Sequence, residues 1–82
     1  MITPEQIRAA RAILKWTAKE LSEKAGLSLP TVQRMERDHG TDSSLGKNIM
    51  AVQQVLENAG IEFIPENGGG VGVRMKKGSS KD

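Results

Sequence analysis

The chain has 82 residues, no cysteine, a formal net charge of +2 and 37 % hydrophobic residues. That length allows one small domain, which buries only about 60–65 % of the surface its unfolded chain exposes, so a second copy is a ready source of extra buried area. Without cysteine, disulfides and thiolate-bound zinc or iron–sulfur sites are excluded, and a charge of +2 does not imply a nucleic-acid partner unless the basic residues share a face.

No apolar stretch approaches the ~20 residues a membrane span requires. Met1-Ile2-Thr3-Pro4-Glu5 lacks the basic-then-apolar pattern of a secretory signal. A cytoplasmic, non-membrane protein is the expectation. Composition divides the chain into a helical part, residues 1–60, a glycine-rich segment over 61–75 with two short apolar runs, and a polar tail over 76–82 expected to be disordered.

The first helix starts at Thr3, a good N-cap, with Pro4 in the first turn and Glu5 and Gln6 favouring the positive helix end. Ile7, Ala10, Ile13 and Leu14 form its inward face and Arg8, Arg11 and Lys15 its polar one, with an end near Trp16. Trp16 reads as a packing residue. Thr17-Ala18-Lys19-Glu20 is a capping box that opens the second helix. Leu21 and Ala25 point inward, and Gly26 ends the helix by taking positive φ. The third helix follows at once. Ser28 is its N-cap, Pro30 is tolerated in its first turn, Val32 and Met35 are inward, and it stops near Arg37 or Asp38.

A fourth helix spans about Ser44 to Asn58, with Leu45, Ile49, Val52 and Leu56 at spacings of three and four and Asn58-Ala59-Gly60 as its stop. Gly46 weakens its first turn by about 1 kcal/mol relative to Ala. Ile61-Glu62-Phe63-Ile64 and Val71-Gly72-Val73-Arg74-Met75 read as strands around a turn over residues 65–70. A lone hairpin is barely stable in water, so it packs on the helices or pairs with another chain. Met35, Met50 and Met75 are expected to fill core gaps.

Two short helices joined by a tight turn at Gly26 cross steeply and leave the second free to enter a major groove. The run from Trp16 to Glu36, with its turn glycine, Ser28-Leu29-Pro30-Thr31-Val32 and the closing glutamate, resembles the Cro/C1 repressor-type (XRE-like) helix-turn-helix family. The resemblance extends from Glu5 to about Ala59, and the end of the chain is similar to a compact subgroup with a short C-terminal tail. It implies a mainly α fold: a four-to-five-helix DNA-binding domain carrying a short C-terminal β-hairpin.

The resemblance also implies roles. Residues 28–37 become the recognition helix, with Leu29, Pro30, Gln33 and Arg34 at base edges. Arg34 suits guanine, Gln33 suits adenine or a phosphate, and Leu29 and Pro30 meet thymine methyl groups or sense shape. Thr17, Lys19, Ser28, Thr31, His39, Thr41 and Lys47 fall where phosphates are held. Arg11 and Glu36 fall where the family places an ion pair between its first and third helices. Ala18 departs from the usual glutamine anchor, which Lys15 or Lys19 can replace.

The expected function is a bacterial or phage transcriptional regulator, a repressor, bound to double-stranded DNA as a homodimer through an inverted repeat. The alternative is an antitoxin-like module that binds a toxin or other partner protein through its C-terminal strands and also binds DNA. An enzyme is not expected. No paired nucleophile and base occurs, the one histidine has no companion ligands for a metal, and no cofactor is implied. Asn67-Gly68-Gly69-Gly70-Val71-Gly72 lacks the flanking strand, helix and lysine of a nucleotide loop and reads as a hairpin turn.

Overall fold

A computed structural model describes residues 2–37 and 46–76. Four helices, α1 (Pro4–Leu14), α2 (Ala18–Ala25), α3 (Leu29–Arg37) and α4 (Gly46–Asn58), precede two strands, β1 (Ile61–Ile64) and β2 (Gly72–Met75). The strands form one antiparallel ladder, with Ile61 opposite Met75 and Ile64 opposite Gly72. The fold is therefore mainly helical with a hairpin, and four helices rather than five lie among the described residues. The start of the fourth helix at Ser44 and Leu45 falls outside them.

Local chemistry sets the helix ends. Thr3 caps α1, its hydroxyl accepting from the Gln6 amide while the Gln6 side chain accepts from the Thr3 amide. The helix ends at Leu14, two residues before the expected Trp16, because Lys15 takes the left-handed conformation with φ +60°. The Lys15 and Trp16 amides then donate to the Ala12 and Arg11 carbonyls, a closure that usually falls to glycine. Thr17 and Glu20 form the reciprocal box that opens α2, and Gly26, at φ +70°, closes it.

Packing follows from which faces these helices bury. Ile7, Ala10, Leu21, Val32, Met35, Val52, Leu56 and Ile61 make the core, with Ile2 closing one end. α3 packs on α1 and α2, and the hairpin packs on α1 and α4. α1 is thus shared by the α2–α3 half of the molecule and the hairpin half. Leu14, Trp16, Ala25, Leu27, Ile49, Phe63 and Val73 pack around the core at partial burial. Trp16 lies beneath the Lys24 ammonium, 4.9 Å from its ring centre.

Three expected core residues are not core. Ile13, Met50 and Met75 are exposed. Ile13 is one residue from Leu14 on α1, and only Leu14 meets the core. Met50 lies on the opposite side of α4 from Val52 and Leu56, and Met75 ends the ladder where no other element among the described residues covers it. Arg11 also leaves the polar face assigned to it: its side chain is only 24 % exposed.

One long-range tie was invisible in the sequence. Gln6 is buried, and its amide nitrogen donates to the Ile64 carbonyl at 3.2 Å and the Gly72 carbonyl at 2.9 Å. Those two residues form the loop end of the ladder. One side chain therefore caps α1 and clamps both strands. Beyond it the loop folds on itself, Glu66 accepting from the Gly68 and Gly70 amides and Asn67 from the Gly69 amide. At the other end the Lys76 amide donates to the Gly60 carbonyl, one residue past the expected strand.

Candidate nucleic-acid interface

The helical period sorts α3 into two stripes. Val32, Met35 and Glu36 are buried, and Leu29 begins the same stripe three residues before Val32. Pro30, Gln33, Arg34 and Arg37 recur at the complementary spacings of three and four, and all four are exposed. The expected base readers thus divide. Pro30, Gln33 and Arg34 share the outward face, whereas Leu29 is half-buried at the edge of the inward one. Arg37 joins the outward stripe. The same 3.6-residue period that marks Arg34 would have found it.

Of the polar groups expected to hold phosphates, several already serve as caps. The Thr17 hydroxyl accepts from the Glu20 amide at 3.0 Å and retains its proton for another acceptor. Ser28 accepts from the Thr31 amide, and the two hydroxyls bond to each other at 2.8 Å. Lys19 pairs with Glu23 at 3.6 Å on the exposed face of α2. Lys47 is exposed in the first turn of α4. His39 and Thr41 lie outside the described residues.

The mount of α3 is built from two arginines of α1. Arg11 grips the Glu36 carboxylate with two bonds, Nε to Oε2 at 2.7 Å and Nη2 to Oε1 at 2.8 Å. Its remaining nitrogen, Nη1, donates to the Trp16 carbonyl at 3.0 Å. The guanidinium therefore joins α1, the α1–α2 link and α3. Its hydrogen bonds to Glu36 hold its pKa above the ordinary arginine value; burial opposes this and the Coulomb attraction of Glu36 adds to it. Glu36 is 7 % exposed, so the pair is largely out of water. Arg8, which sequence reasoning treated only as polar surface, donates to the Glu36 carbonyl, one of the last carbonyls of α3. Among the described residues every buried side-chain polar atom has a partner.

The arrangement presents an outward, largely polar stripe on α3, which is held to α1 by Arg8 and Arg11. No cluster of three or more His, Cys, Asp or Glu gathers among the described residues. No helix among them is long and apolar enough to cross a membrane. A family model described as helix-turn-helix matches residues 7–47, half of the chain, from the second turn of α1 to the first turn of α4. No curated protein matches the chain closely enough to show kinship.

Proposed function

The chain belongs to the Cro/C1-type helix-turn-helix family, the XRE family of DNA-binding regulators, and from that premise we propose that it is a transcriptional repressor that binds an inverted-repeat operator as a homodimer. The observation that carries this reading is the division of α3 into a buried stripe and an exposed one ending in Gln33, Arg34 and Arg37. Arg34 offers a bidentate donor to guanine, and Gln33 offers the donor–acceptor pair that adenine requires. On this reading Thr17, Lys19, Ser28, Thr31 and Lys47 make phosphate contacts, and Gly26 makes the turn between α2 and the recognition helix.

Two copies place their recognition helices about 34 Å apart, one turn of B-DNA. We assign the dimer contact to the hairpin, whose Val71 and Met75 are 44 % and 40 % exposed. Removing residues after Gly60 would strip Ile61 from the core, so substitution is the cleaner probe. Val71→Thr with Met75→Thr should lower the mass seen by light scattering from dimer to monomer at micromolar concentration. An unchanged mass would remove the hairpin from the interface.

The function itself is tested by selecting bound fragments from genomic DNA at two salt concentrations. A discrete inverted repeat enriched at both salts is the expected result. Broad enrichment that disappears at higher salt would mean that phosphate attraction alone drives binding, and the repressor reading would fail.

A further inference from the structure

We propose that Asn67 is a site of self-modification, at which the backbone nitrogen of Gly68 closes on the Asn67 side chain, expels ammonia and leaves aspartate or isoaspartate in the hairpin loop. An asparagine can form a five-membered imide from its own side-chain carbon and the next backbone nitrogen. A side chain on the following residue crowds that closure, and glycine has none. Asn67 and Gly68 are exposed, and a Cβ placed at Gly68 would meet nothing within 4 Å. Gly68 and Gly70 both have positive φ, so the backbone after Asn67 occupies conformations that glycine enters at no steric cost.

The loop also places the groups that closure needs. The Gly68 amide, which holds the attacking nitrogen, donates to Glu66 Oε2 at 3.1 Å, within reach for the carboxylate to take its proton. Asn67 Oδ1 accepts from the Gly69 amide at 3.3 Å, so a donor already faces the oxygen on which negative charge develops as Cγ becomes tetrahedral. The Gly70 amide donates to the same Glu66 oxygen at 3.2 Å and holds the carboxylate in place. The bond from the Gly68 nitrogen to Asn67 Cγ forms, the proton passes through Glu66 to Nδ2, the Cγ–Nδ2 bond breaks and ammonia leaves. Water then opens the imide. Attack at Cγ gives aspartate, and attack at the backbone carbonyl gives isoaspartate, whose main chain runs through Cγ. Either product puts a second carboxylate beside Glu66 and lowers the formal net charge of +2 by one. Isoaspartate also lengthens the main chain of the loop whose strand ends Gln6 clamps.

The test incubates the full chain at neutral pH and follows position 67 by peptide mass spectrometry, with chromatographic separation of the aspartyl and isoaspartyl peptides. Asn67 should be converted well ahead of Asn48 and Asn58, and faster in the folded chain than in the same chain unfolded in guanidinium chloride by about tenfold or more. Glu66→Gln, whose amide oxygen can still accept from the Gly68 and Gly70 amides, should slow conversion in the folded chain by about tenfold or more and leave the unfolded rate unchanged. An unconverted Asn67, or a folded rate no higher than the unfolded one, would overturn self-modification by the loop whatever the variant does. A Glu66→Gln chain that converts as fast as the parent when folded would overturn the carboxylate's part in it.

Discussion

Replacing Arg11 by Met keeps most of the volume of its stem and removes three hydrogen bonds at once, two to the Glu36 carboxylate and one to the Trp16 carbonyl. It also strands a carboxylate whose side chain is 8 % exposed. Breaking a fully buried pair from one side costs about 3–5 kcal/mol. Arg11 is 24 % exposed, so water reaches the vacated space and the expected cost falls to about 2–3 kcal/mol. Glu36→Leu strands a cation that still reaches water and the Trp16 carbonyl, and should cost about 1–2 kcal/mol. The double variant leaves two apolar side chains in contact, and apolar replacements of ion pairs are often close to neutral, so its cost should stay under about 1 kcal/mol. The double variant should therefore be more stable than Arg11→Met alone. Thermal unfolding followed by circular dichroism, at one fixed protomer concentration, reads these differences. At about 4–8 °C per kcal/mol for a domain of this size, Arg11→Met should lower Tm by about 10–20 °C. Single effects that add to within about 0.5 kcal/mol would refute the coupling.

The remaining expectations probe other ties. Gln6→Met should cost about 2–3 kcal/mol, since it leaves the Ile64 and Gly72 carbonyls and the Thr3 amide without their partner; hydrogen exchange should then quicken in the hairpin more than in α3, and equal quickening would count against the clamp. Lys15→Gly relieves a left-handed residue at φ +60° but adds freedom to the unfolded chain, so it should raise stability by at most about 1 kcal/mol, whereas Lys15→Val should lower it. Glu62 is held below its ordinary pKa of 4.5 by its hydrogen bonds to Arg74, then by the charges of Arg74 and Lys76; a lowered folded value means its contribution is present above pH 4.5 and lost as pH falls through the lower value. Glu62→Gln should thus differ from the parent in urea unfolding at neutral pH and converge with it in acid, and a difference that grows in acid would contradict the sign. Arg34→Ala should weaken binding to the selected operator by about 1–3 kcal/mol and relax preference at one base pair, and uniform weakening on every sequence would reassign Arg34 to phosphate.

Much of the helical frame was legible because its signals are local. Thr17 and Glu20 are three residues apart and need only each other, and Gly26 marks a positive φ by being the residue that adopts it most easily. The end of α1 was not legible for the complementary reason. Lys15 takes the same conformation without being glycine, and the capped start of α2 two residues later fixes it there. Side-chain type misled at Ile13, Met50 and Met75, since an apolar residue is buried only where another element reaches it. Gln6 shows a different limit: its partners are 58 and 66 residues away, and nothing around it in the chain announces them. Within α3, by contrast, the distinction between Leu29 and its neighbour Pro30 was available from periodicity alone.

The two stripes of α3 have no residue in common, and this bears on how such a protein can change its target. Among the described residues the Pro30, Gln33 and Arg34 side chains make no hydrogen bond or ion pair to the rest of the fold, while Val32, Met35 and Glu36 hold the helix in place with help from Arg8 and Arg11. Substitutions on the outward stripe therefore leave the core intact, at surface costs of about 0.5 kcal/mol or less. If the outward stripe reads an operator as proposed, a lineage carrying this fold would drift from one operator to another by single steps, each intermediate still folded, with α1 serving as an unaltered handle for a replaceable key.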